Sequence, residues 1–576
     1  MRGVGVVAAV TFSLLVAASI GSPETPPRAA ESELRDLVSW FTNDLRALGR
    51  RYPVDTSPER IERVGGFYDE WKRRVEEIDY EPLGAEGRID HVLLRNRIHY
   101  QKRLLTRAEG FFLEARTLLP FETEILSMND ARIRMDTIDA KEAAEKLEAL
   151  GGRVESFREN VEARIDSVDR LAAFRAQEQL GTVRRALESW YQFYSGYDPQ
   201  FTWWCETPYR RLDKALGGYR DFLRERVLGI EEGEDEPIVG TPIGRDALVA
   251  DLASEFIPYT PEDLLKIAER EFAWCQEELR KAARDMGLGD DAMAAIEKVK
   301  NLYVPPGEQP DLIRDLAREA EEYMEANDLL TVPPLAKEVW RMRMMTPERQ
   351  KVNPFFTGGE VISVSFPTDT MEHSDKLMSL RGNNIHFARA TVFHELIPGH
   401  HLQSFMTDRY NQHRGAFRTP FWGEGWALYW EMLLWDRGFQ RSPEDRVGML
   451  FWRMHRASRI LFSLGFHLGQ MTPEECIELL VERGGHELRN AEAEVRRSFN
   501  GSYPPLYQLA YMIGGLQFRA LHEEMVGSGR LTNREFHDAV LEGGVMPVEL
   551  VRVRLNGERI PRDYESTWKF YGALDP

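Results

Sequence analysis

Cysteine is scarce, with three in 576 residues. Cys205, Cys275 and Cys476 stand far apart and form no Cys-x-x-Cys pair, which argues against a thiolate zinc site. Export would permit one disulfide, but buried thiols are the expectation. Basic charge is also short: 74 Lys and Arg against 94 Asp and Glu leave a net charge of −20, so nucleic acid is not an expected partner. None of the 13 histidines has a glutamate three residues before it, which excludes the Glu-x-x-His pattern of a di-metal bundle. Neither a Gly-x-Ser-x-Gly elbow nor a phosphate-binding loop occurs. Beyond residue 22 no stretch is apolar enough to span a bilayer.

What is present is a folded, enzyme-sized chain, 43% hydrophobic and 29% charged, as soluble globular proteins are. Arg2, an apolar run and then small residues around Ala17 to Ser22 have the layout of an export signal, so residues 1–22 are read as a signal peptide. The alternative is an uncleaved anchor. Apolar residues recur at three- and four-residue spacing over Leu34 to Leu48, Ile138 to Leu171, Leu212 to Leu228 and Leu264 to Met286, which predicts helix. Val339 to Met344 reads as a strand or short helix, and Glu360 to Phe366 alternates with β-branched residues. The expected fold is mainly α: a helical lobe over 23–330, a second lobe over 331–576, and a small β-sheet beside a metal-binding helix.

The chemistry concentrates in HELIPGHHLQ, His394 to Gln403. His-Glu-x-x-His is a zinc-peptidase signature in which two histidines share a helical face and the glutamate reaches the metal's water. Here Pro398 occupies the fifth position, and the next histidines are His400 and His401. In a straight helix His394 and His401 would share a face yet stand roughly 10 Å apart along the axis. Proline has no amide hydrogen and crowds the carbonyl four residues back, so Pro398-Gly399 permits a bulged turn that absorbs two residues and returns His400 to the missing position. These ten residues equally allow a helix that ends at Pro398 beside unconnected histidines. Downstream, FWGEGWALYWEMLLWDRG places Glu424 and Glu431 seven residues apart on nearly one helical face. One carboxylate would complete a His, His, Glu zinc site and the other would orient a histidine; surface charges are the alternative.

HELIPGHHLQ, EGWALYWE, RASRILFSLGFH and LAYMIG, in that order from His394 to Gly514, resemble the bacterial family of domain of unknown function 885. That family is grouped with gluzincin metallopeptidases and is similar in plan to thimet oligopeptidase and carboxypeptidase Taq. The resemblance implies zinc held by His394, His400 and Glu424, with Glu395 as general base and His401 a structural or substrate-side neighbour. Tyr511, then Tyr507 and His467, are the implied oxyanion donors. Glu431 and Arg459 are the expected supporting or substrate-contacting residues. Arg456 and Arg459 precede His467 in RASRILFSLGFH and suit either a peptide carboxylate or structural salt bridges. The chain departs from the family with Ser463 where an aspartate is common, and with Pro505-Leu-Tyr-Gln-Leu-Ala-Tyr511 where Pro-Gly-Gln-Ala-Leu-Ser-Tyr is frequent. By analogy with zincins, the strand Val361 to Phe366 would pair with an extended peptide. The expectation is an exported zinc peptidase acting on short peptides; the alternative is a helical peptide-binding or scaffold protein that retains a metal site.

Overall fold

The computed structural model describes residues 31–230, 237–350, 355–500 and 503–574. The predicted signal peptide lies outside the described residues. Helix dominates, as the apolar spacing predicts. Several helices open on a hydroxyl or carboxylate cap followed by proline: Asp198-Pro199, Thr260-Pro261, Thr419-Pro420, Ser442-Pro443 and Thr472-Pro473. Each cap side chain accepts a hydrogen bond from a first-turn amide, and proline fits there because that position needs no N–H partner.

Buried apolar side chains form two large clusters. One gathers the N-terminal helices, through Phe41, Trp71 and Leu94, with the chain from Leu248 onward, including Leu330, Trp430 and Leu450. The other lies within residues 115–230 and packs Leu147, Leu180, Leu212 and Tyr219. Cys205, Cys275 and Cys476 are buried free thiols, so the disulfide that export would permit is not formed. Among the described residues no helix is long and apolar enough to cross a membrane.

The two strands are β1 (Arg341–Met344) and β2 (Val361–Val364), paired in parallel with Arg341 opposite Val361 and Met344 opposite Val364. Ile362 and Val364 bury against Ala388, Val392 and Leu396, which seats the sheet on the motif helix Ile385–Glu395. The second edge of β2 is bridged by Thr357, whose amide donates to the Ser363 carbonyl at 3.1 Å while the Ser363 amide donates back at 2.7 Å. β2 is thus paired with β1 on one edge and bridged by Thr357 at Ser363 on the other, where a peptide expected to pair with this strand finds the Ser363 main-chain groups already used.

Two glycine contacts bring the site helices together. A Cβ on Gly425 would lie 2.6 Å from the Gly514 Cα, so helices Pro420–Asp436 and Tyr507–His522 cross backbone to backbone. A Cβ on Gly448 would lie 2.3 Å from the His386 carbonyl oxygen, which lets helix Pro443–His467 close on the motif helix.

Candidate metal centre

The motif helix stops at Glu395 and a second helix, His400–Thr407, starts at the histidine after Pro-Gly. The Gly399 amide donates to the Phe393 carbonyl at 3.0 Å and the Leu402 amide to the Leu396 carbonyl at 3.3 Å. Both bonds span six residues instead of four, which is the two-residue insertion that Pro398-Gly399 predicts. Gly399 admits no side chain, because a Cβ would stand 1.7 Å from the His394 carbonyl oxygen. The indole N–H of Trp426 donates to the Pro398 carbonyl at 2.9 Å and fixes the turn against helix Pro420–Asp436.

This break makes the two imidazoles converge. The His394 and His400 rings are 4.9 Å apart and nearly perpendicular. Glu424 faces both, with Oε2 3.1 Å from His400 Nε2 and 3.7 Å from His394 Nε2, and one ligand atom from each of the three residues lies within 4.8 Å of the others. Ligands about 2.0–2.2 Å from a tetrahedral zinc are separated by roughly 3.4 Å, so the His, His, carboxylate set fits such an ion. On the far side of the His394 ring, Nδ1 is 2.7 Å from Glu431 Oε1. That bond directs Nε2 toward the Glu424 carboxylate. The Tyr507 hydroxyl donates to Glu424 Oε1 and leaves Oε2 for the histidines.

Electrostatics reinforce the geometry. Burial pushes the Glu395 carboxyl up, against the lowering influence of His394 and His400. Burial also opposes charge on Glu424, yet the two histidines hold it well below the usual carboxylate range. His400 is desolvated, but Glu424 raises it to about 9. Glu395 is buried against the segment before β2: a Cβ on Gly358 would lie 2.4 Å from Glu395 Oε2, so only glycine lets that backbone approach.

The remaining expected residues divide. Tyr511 stacks on the His394 ring at 6.2 Å, with burial raising its hydroxyl. Arg459 covers the Tyr511 ring at 4.3 Å and donates to Glu494 at 2.8 Å. His401 is structural: it is buried with Nε2 2.7 Å from the Ala336 carbonyl oxygen. His467 does not join the triad. It shares a helical stripe with Arg456 but lies eleven residues on, about 16 Å along the axis. Its ring meets Phe466 and Phe499, where burial, helped by Arg107, lowers it to about 4. Ser463, where the family often has aspartate, donates to the Pro505 carbonyl at 3.4 Å.

Four residues at the site escaped the sequence reading: Trp426, Gly358, Tyr503 and Glu494. Tyr503 stacks on Tyr507 with 4.1 Å between rings. Glu494 carried a legible signal, since Ala491 and Ser498 place it on the buried stripe of helix Leu488–Phe499.

The chain belongs to the family described as bacterial protein of unknown function (DUF885), whose model matches residues 47–555. Its fold is similar to that of a candidate lipoprotein of unknown function from Shewanella oneidensis. The TM-score is 0.67 at 17% identity, covering 91% of this chain and 100% of that one. It is also similar to a candidate lipoprotein from Colwellia psychrerythraea, with a TM-score of 0.58 at 15% identity over 91% of this chain and 98% of that one. No curated protein matches the chain.

Proposed function

We propose that this protein is an exported zinc-dependent metallopeptidase of the gluzincin type that hydrolyses short peptides. The observation that carries the reading is the convergence of His394, His400 and Glu424 within 4.8 Å, with Glu395 on the same helix as His394. His394 and His400 would ligate through imidazole nitrogen and Glu424 through Oε2, an open three-ligand set. Bound there, zinc supplies Lewis acidity that polarises a carbonyl and makes water acidic enough to attack near neutral pH. Glu395 takes the proton from water as its oxygen adds to the scissile carbonyl carbon, then gives that proton to the amine as the C–N bond breaks. A carboxyl raised by burial is suited to both transfers. Tyr507 and Glu431 orient the ligands, and Tyr511 is the candidate donor to the developing oxyanion.

Export rests on the N-terminal sequence layout and agrees with the description of the two structural neighbours as candidate lipoproteins. The test is metal analysis together with a peptide-library cleavage assay on the wild type and Glu395→Gln. One zinc per chain with cleavage that Glu395→Gln abolishes is expected; zinc without Glu395-dependent cleavage overturns the catalytic reading and favours a peptide-binding scaffold.

A further inference from the structure

Beside the triad lies a buried cluster of arginines. Arg456 and Arg459, one turn apart on helix Pro443–His467, stand 4.6 and 4.3 Å from the centre of the Tyr511 ring, and that ring stacks on His394. Both arginines are almost fully buried, at 5% and 2% exposure. Arg459 and Arg497 share the carboxylate of Glu494, which also accepts from Gln508 at 2.8 Å. Among the described residues the ion-pair partner of Arg456 is Glu431, at 3.8 Å, and that same Oε1 is already bonded to His394. The Glu424 and Glu395 carboxylates of the site also act on Arg456. The nearby His455 is held neutral by burial and the surrounding arginines, so it adds no charge of its own. Among the described residues, Arg456 Nε and Arg459 Nη1 have no hydrogen-bond partner.

A buried guanidinium N–H without an acceptor is costly, and such groups match the two oxygens of a carboxylate. We infer that Arg456 and Arg459 bind the free C-terminal carboxylate of a short peptide and so set which bond lies at the triad. The inference rests on the peptidase reading. The guanidiniums stand 4.3 and 4.6 Å and the His394 ring 6.2 Å from the centre of the Tyr511 ring, so they lie within about 11 Å of each other; an extended peptide advances about 3.3 Å per residue, which puts the carboxylate no more than about three residues past the cleaved bond. The substrate class is therefore short peptides with a free C-terminus, and the product released from that end is an amino acid or a peptide of up to about three residues.

The test compares peptides of one sequence as free acid and as C-terminal amide, on the zinc-loaded chain. A third peptide, a C-terminal amide with glutamate as its last residue, separates a side-chain carboxylate from the chain terminus. The free acid is expected to be cleaved at least about a hundredfold better in kcat/KM than either amide, because the amide leaves the guanidiniums unpaired. In Arg456→Met the preference collapses through the free acid alone, and Arg456→Lys restores part of it. Equal cleavage of acid and amide overturns the inference and leaves the peptidase reading standing, as does equal cleavage of the glutamate amide. If no peptide is cleaved, the peptidase reading fails, and calorimetry with the same acid and amide on the same protein decides the subsite. Tighter binding of the acid supports it, and equal binding overturns it.

Discussion

His394 and Glu431 face each other across two packed helices, with Nδ1 2.7 Å from Oε1 although 37 residues separate them in sequence. The carboxylate settles which imidazole nitrogen is turned toward Glu424, and thereby divides labour between two glutamates seven residues apart. Glu424 meets both histidines; Glu431 holds one of them from behind.

Replacing Glu395 by Gln preserves size and burial but removes the proposed proton carrier. Peptide cleavage should fall by about 10²–10⁴-fold while zinc stays at one per chain. Loss of zinc together with activity would instead make Glu395 part of the metal-holding structure.

Gly399→Ala forces a methyl into a space 1.7 Å from the His394 carbonyl oxygen. The turn must open, so the variant should lose about 2–4 kcal/mol of stability and bind less than one zinc per chain. Thermal unfolding with and without chelator reads both effects. A variant with wild-type zinc content would show that the turn tolerates the methyl.

Tyr507→Phe and Glu431→Gln each remove a partner of a ligand and keep the ligand itself. Each should weaken zinc binding by about 10–100-fold in competition with a chromophoric chelator. His401→Asn, which disturbs the contact to the Ala336 carbonyl and the ring contact with Phe405, should lower the melting temperature and leave zinc affinity unchanged.

Glu494 is deeply buried, which opposes its charge, but Arg459 and Arg497 hold its pKa down to about 2, below an ordinary 4.5. Its folded-state pKa lies below the unfolded one, so its contribution to stability is present above about 4.5 and is lost as pH falls toward 2. The urea midpoint of the wild type should therefore drop across that window. Glu494→Gln should be less stable at pH 7 and show a shallower drop; an unchanged slope would remove Glu494 as the source.

Much of the site was legible because its rules are local. Pro398 lacks a donor and Gly399 has no Cβ, so a helix break between His394 and His400 can be read from two letters, and the six-residue hydrogen bonds follow from it. Apolar spacing marked the helices. The second edge of β2 was not legible, since nothing in Val361–Val364 announces that Thr357 folds back onto Ser363. His467 misled for a related reason: its motif lies on the same helix as Arg456, and only the packing shows that the helix runs past the site toward Phe499.

The sequence by itself determined a helical chain, a broken motif helix and an ordered set of metal-ligating residue types, because propensity, backbone sterics and side-chain chemistry act within a few residues. Only the tertiary structure decided that Glu424 meets the histidines while Glu431 stands behind His394, that Tyr507 bonds the Glu424 carboxylate, and that Arg456 and Arg459 line the flank of the site. Those assignments depend on where separate helices cross. The crossing is set by contacts such as Gly425 on Gly514, between residues whose closeness no local pattern encodes.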